Sequence, residues 1–317
     1  MPNGPQHSEE LSGELRKLLE LLHVSGQNAS PGPAASPSID APLAEELRSR
    51  LDDSTSSEDV KENSRRFYNE LTRQLDSTRF GDFSYFLNYG YVADETPASS
   101  MIELPERYIN RNSVRLVLEV IGDCDLKGRR ILDVGCGRGG TIYAIHQFFQ
   151  PGPTTGLDLS ADAIEFCRRT HTYPGVTFCE GDAEKLPFPD SAFDVVTNIE
   201  SSHTYPNLHA FYKEVFRILD GGGCFLYTDF MPRGKSSQCL ETLRHFGFAV
   251  ETDRDITNNV LCSCDEVASS RLRTFRGGVD AGLMRNFLAA PGSPIYENLK
   301  SREWTYRILR MRKGASV

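Results

Sequence analysis

The chain has 317 residues, 39% hydrophobic and 25% charged, with 35 Lys and Arg against 44 Asp and Glu, a formal net charge of −9. That supplies a sizeable core, while a surface this negative has no general attraction for nucleic acid or an anionic membrane. No run of about 18 apolar residues is present to cross a bilayer.

The opening residues MPNGPQHSEELSGEL lack the basic start and apolar stretch of a signal peptide. Leu11, Leu15, Leu18 and Leu22 fall near one face of a short helix over 8–23. A Ser/Pro/Ala-rich linker follows at 25–42, then a second short helix from Leu43 to Leu51. Residues 1–55 therefore read as a helical arm and linker. Ser56-Ser57-Glu58-Asp59 marks a helix start, continued from Val60 to about Leu75, and 56–106 reads as an N-terminal helical lid. Within it, the aromatic segment Tyr85–Tyr91 reads equally as a lid over a ligand or a packing hinge.

From about residue 107 strand-like runs alternate with helical stretches. Strands are expected at 130–134, 154–159, 176–180, 193–198, 223–228, from 247, and at 304–311. Helices are expected at about 141–149, 160–170, 207–219 and 236–246. This alternation predicts a parallel sheet with helices on both faces. Residues 256–300 interrupt the last strand connection as a helical cap, so the core runs over 107–317. Eight cysteines, only Cys262 and Cys264 closely spaced, read as reduced thiols of a cytoplasmic protein and form no zinc pattern.

The strongest motif is the loop Asp133-Val134-Gly135-Cys136-Gly137-Arg138-Gly139-Gly140, set between a strand and a helix. Its glycines let backbone approach a ligand closely. A phosphate-binding P-loop would need a lysine that is missing. The G-x-G-x-x-G spacing alone does not exclude a dinucleotide, but Asp133 would repel a pyrophosphate and attract a cationic ligand. Asp158 ends the second strand, where a carboxylate can accept ribose hydroxyls. Asp182-Ala183 follows the third, placed to meet an adenine amino group and ring.

With these three features in order, the chain resembles the class I S-adenosylmethionine-dependent methyltransferases. The resemblance implies a Rossmann-like, seven-stranded α/β methyltransferase fold. It also implies S-adenosylmethionine as cofactor. The binding set is then Asp133, Gly135, Cys136, Gly137, Gly139, Asp158, Leu159, Asp182, Ala183 and Asn198.

After the fourth strand comes Asn198-Ile199-Glu200-Ser201-Ser202-His203-Thr204-Tyr205-Pro206. His203 can take a proton from an acceptor hydroxyl, with Glu200 orienting it and stabilising the imidazolium. His146, His171, His209 and His245 read as structural. Together with Phe86–Tyr91 and Trp304–Arg307, this stretch is similar to phthiotriol/phenolphthiotriol dimycocerosate methyltransferases and to O-methyltransferase domains of polyketide synthases. The similarity runs over about 80–313. It implies O-methylation of a polyketide-type hydroxyl, free or carried on an acyl carrier protein, with neighbouring synthase domains as partners. The sequence shows no divalent-metal cluster, so the reaction is expected to need no metal. Arg271, Arg273 and Arg276 are the basic residues that would meet such a carrier. Carbon or nitrogen methylation of a lipid-like or amine molecule, and a cofactor-binding scaffold without catalysis, are the competing readings.

Overall fold

The computed structural model describes residues 56–77, 81–94, 102–274 and 281–314. The leucine-rich arm, the Ser/Pro/Ala linker and Arg276 lie outside them, as do the side chains of Arg271 and Arg273.

The four buried residues Ile131–Val134 form β1, which pairs in parallel with β2 (Thr154–Asp158) and β4 (Phe193–Ile199). Strand β3 (Val176–Glu180) extends one side, and β5 (Leu219–Pro232) the other. The last two strands, β6 (Phe248–Asp255) and β7 (Trp304–Lys313), complete the order β3-β2-β1-β4-β5-β7-β6. The order reverses between β1 and β4, so a crevice opens at their carboxyl ends.

One strand departs from the parallel expectation: β7 runs antiparallel to both β5 and β6. Three helices lie between β6 and β7: α7 (Thr257–Thr274), α8 (Ala281–Phe287) and α9 (Pro294–Lys300). They leave and rejoin the sheet at the same edge, Asp255 standing opposite Arg307, so β7 has to run back the way β6 came.

Consecutive strand residues feed opposite faces, as a period of two requires. Ile131, Val195 and Leu226 pack with α2 (Arg111–Ile121), α3 (Gly140–Phe148) and α7. Leu132, Val196 and Phe225 pack with α5 (Leu208–Ile218) and α6 (Arg233–His245). Helix α4 (Ala161–Thr170) closes the β2–β3 connection. The sequence pattern did not single out α2, although Val114, Leu116, Val117, Val120 and Ile121 are all fully buried.

Helix α1 (Ser57–Asp76) starts at a capping box: Ser56 Oγ accepts from Asp59 N, and Asp59 Oδ2 accepts from Ser56 N. Its apolar stripe, Phe67, Leu71 and Leu75, packs on Met284 and Leu288 beside the cap helices. The helix thereby forms one wall over the crevice.

Candidate active site

The turn after β1 holds three glycines with left-handed backbone, Gly135 (φ 69), Gly137 (φ 49) and Gly139 (φ 78). A Cβ on Gly135 would lie 1.9 Å from Ser201 Oγ, and one on Gly139 2.4 Å from the His171 ring. At Gly137 the nearest atom would be Leu87 Cδ1 at 3.7 Å, so this glycine faces open room. Its N–H donates to Asp158 Oδ2 (2.8 Å), while Ser160 N donates to Asp158 Oδ1 (2.8 Å). Burial raises the Asp158 carboxyl above its usual range, and these backbone donors oppose that. Acceptor capacity of the carboxylate remains for a ligand.

Past β3, Asp182 Oδ1 accepts from Glu184 N (2.8 Å). Its Oδ2 meets Lys61 Nζ of α1 at 2.7 Å, and Lys61 is also 2.7 Å from Glu184. Burial opposes the lysine's charge, but the two acids overcome it and hold Lys61 above its usual range.

Seven of the expected cofactor residues line one cleft of about 1370 Å³, its open mouth included: Gly135, Cys136, Gly137, Asp158, Leu159, Asp182 and Ala183. Asp133, Gly139 and Asn198 are not in its wall. Asp133 is buried beneath the loop, where Oδ1 accepts from Thr197 Oγ1 (2.6 Å), and burial pushes its carboxyl up to about 7. Gly139 packs down on His171, whose Nε2 lies 2.8 Å from the Arg138 carbonyl. Asn198 donates to Val134 O (2.8 Å) and ties the loop's base to β4.

His203 sits in a 3-10 turn (Ser202–Thr204) and lines the same cleft. Its acid partner is not Glu200. His203 Nδ1 is 2.8 Å from Asp229 Oδ1, at the carboxyl end of β5. Asp229 Oδ1 also accepts from Phe230 N (2.8 Å), and Oδ2 from Ser202 Oγ (2.6 Å) and His203 N (2.9 Å). A buried carboxylate with four donors around it is fixed in place, and it holds the imidazole with Nδ1 as the donor. Nε2 is then the nitrogen left for the cleft. The ring packs on Phe230, centroids 4.4 Å apart.

Glu200 adopts a left-handed backbone (φ 51) and lines the cleft. Its Oε1 accepts from Tyr89 N (2.8 Å) and from the Tyr306 hydroxyl of β7. Burial pushes this carboxyl up to about 7, against the pull of those two donors.

Tyr85, Phe86, Leu87, Asn88 and Tyr89 all line the cleft, so the aromatic segment is part of the site. The loop's arginine is buried against this front wall and holds it. Arg138 is 1% exposed, lies 3.5 Å over the Phe166 ring, and donates to Ser84 O and Gly81 O. It also pairs with Asp76 at 2.8 Å. Sequence reasoning missed Asp229, Tyr306 and Arg138. Two of them carried a signal: Asp229 as an acid following the fifth strand's apolar run, and Tyr306 as part of the Trp304–Arg307 segment that carries the resemblance.

Among the described residues, no three ligating side chains converge on a metal position, and no helix is long and apolar enough to cross a membrane. A family model described as a methyltransferase domain matches residues 125–268. A fatty-acid O-methyltransferase from Mycolicibacterium smegmatis is 37% identical over 76% of this chain and 86% of its own length. The chain belongs to the class I S-adenosylmethionine-dependent methyltransferases. The methyltransferase is also 33% identical to phthiotriol/phenolphthiotriol dimycocerosates methyltransferase 1 of Mycobacterium ulcerans, over 77% of this chain and 88% of that one. Among solved structures, geranyl diphosphate methyltransferase in complex with GPP and sinefungin shares the fold. Its TM-score is 0.59 at 22% identity, covering 80% of this chain and 99% of that one. S-adenosylmethionine is the cofactor of this methyltransferase. The residues present fit it: the room above Gly137 and the remaining acceptor capacity of Asp158 suit a ribosyl group brought close to backbone.

Proposed function

We propose that this methyltransferase methylates a hydroxyl oxygen on a largely apolar, polyketide- or lipid-type molecule, with His203 as general base. The observation that carries the reading is the His203–Asp229 pair at the cleft wall. S-adenosylmethionine, when bound, supplies an electrophilic methyl group. Gly137, Asp158, Asp182 and Ala183 are the residues that would hold it.

A hydroxyl is a poor nucleophile while protonated. His203 Nε2 takes that proton, and Asp229 stabilises the resulting imidazolium through Nδ1–H. General-base help of this kind is worth about 10²–10⁴-fold. The acceptor body meets Phe67, Leu87, Phe230, Phe287 and Ile295, an apolar wall that excludes water and suits an alkyl or polyketide chain. A free carboxylate acceptor fits less well. It needs no base, so the His203–Asp229 pair would have no proton to take from it. The acceptor is therefore a neutral hydroxyl, carried on an acyl carrier protein or free. The enzyme's place is the cytoplasm, in keeping with eight cysteines that form no disulfide.

An amine acceptor is the second reading, supported by the rings of Tyr68, Tyr89 and Phe230 close to Glu200 and Asp229. The deciding experiment is His203→Ala assayed on carrier-bound and free hydroxyacyl compounds, free fatty acids and amines, following the mass gain of one CH₂. Loss of about 10²-fold or more on hydroxyls, with cofactor binding kept, supports the proposal. Turnover confined to acids or amines, or only a mild loss, overturns it.

A further inference from the structure

Glu200 lies three residues from His203, yet no hydrogen bond joins them. Its two donors are instead residues whose rings pack on a third. Tyr89 lies 5.2 Å from Phe230 between centroids, and Tyr306 lies 6.0 Å from it with planes 25° apart. Phe230 in turn is the ring against which His203 packs, at 4.4 Å. The backbone of Tyr89 is held from both ends: N–H to Glu200 Oε1 (2.8 Å), and C=O from Ser263 Oγ (2.7 Å) of α7. Next to it, Gly90 (φ 84) crosses so close that a Cβ would lie 2.6 Å from Ser263 Oγ and 2.9 Å from the Asn112 backbone. The left-handed conformation of Glu200 is fixed by its own N–H, which donates to Thr228 O (2.9 Å). Non-glycine residues keep such a conformation where the surroundings over-determine it.

We propose that Glu200 is a positioning residue: by tying Tyr89 to Tyr306 it clamps Phe230, and Phe230 sets the plane of the His203 imidazole. This deepens the reading of His203 as base and rests on it. What the clamp needs from Glu200 is an oxygen that accepts two donors, so a glutamine can serve. A role through negative charge could not be met that way.

The test compares Glu200→Ala, Glu200→Gln and Tyr306→Phe in the full chain. It uses hydrogen exchange at the Tyr89 amide, nitrogen NMR of the His203 ring, and the pH profile of kcat/KM. Glu200→Ala should speed Tyr89 exchange, shift the His203 ring signals and lower kcat/KM about tenfold or more. Glu200→Gln should restore the slow exchange and the ring signals, and lie about tenfold above the alanine variant at the pH optimum. Tyr306→Phe should shift the ring signals without removing the tyrosine stack. A glutamine variant as impaired as the alanine one, with Tyr89 still protected, overturns the clamp in favour of a direct charge effect. Unchanged Tyr89 exchange in Glu200→Ala overturns it too. Should the alanine variant fail to fold, unaltered His203 signals in Tyr306→Phe do the same. Exchange and NMR need neither acceptor nor turnover, so they report on the clamp even where His203→Ala shows that the base has been misassigned.

Discussion

Replacing Asp229 by Asn tests the base assignment at its support. Each carboxylate oxygen receives two donors: Oδ1 from His203 Nδ1 and Phe230 N, Oδ2 from Ser202 Oγ and His203 N. Whichever way the amide is turned, its NH₂ meets two groups that were donating, one of them a backbone N–H. The hydroxyl or imidazole facing the NH₂ can turn to accept, but the backbone N–H beside it cannot, and losing one hydrogen bond to a charged group costs about 1.5–3 kcal/mol of stability. For a chain this size that is a fall in Tm of about 2–5 °C. With the NH₂ toward the ring, Nδ1 must become the acceptor and Nε2 the donor, and the base function goes with it. The expected drop in kcat is therefore on the order of 10²–10⁴-fold. Thermal melts, calorimetry with S-adenosylmethionine and turnover on a hydroxyl acceptor separate the two effects. A variant that melts lower, binds cofactor and keeps turnover within a few-fold would refute the reasoning, leaving Asp229 a structural acid.

Gly137→Ala should fold at a cost of about 1–2 kcal/mol for its left-handed backbone, since its Cβ meets only Leu87. Cofactor affinity, read by titration calorimetry, should fall by about tenfold or more as the methyl takes up the open room. Asp133→Asn should flatten the pH dependence of stability. Burial holds this carboxyl at about 7 against 3.8 in a free chain, so its stabilising contribution is complete below pH 4 and lost as pH rises toward 7. Urea melts at about pH 5 and pH 7.5 should show the wild-type loss over that interval reduced by about 2–3 kcal/mol. An unchanged loss would refute the burial argument.

What could be read from the sequence is what neighbours along the chain decide. The glycine turn, the acids closing β2 and β3 and the capping box at Ser56 all rest on residues a few positions apart. What could not be read depends on which strands lie side by side. Asp229 meets His203 because β5 pairs with β4, a contact spanning 26 residues. The fifth strand reads as ending at Thr228 because its apolar run breaks there, yet pairing with β7 carries it on to Pro232. Glu200 reads as the histidine's partner because the two are close in sequence, while its real partners are 111 and 106 residues away. Asp133 reads as an acid that meets a cationic ligand, but Thr197 on β4, 64 residues away, holds it below the loop.

The buried guanidinium of Arg138 binds the donor loop and the front helix into one cooperative unit. Its donors are answered by Gly81, Ser84 and Asp76, all supplied by the segment ahead of the sheet. Cutting that segment away to obtain a minimal catalytic fragment would strand a bare cation under the loop, which protein interiors do not tolerate. Grafts or recombination joints that carry this enzyme into another polypeptide therefore have to fall upstream of Ser56.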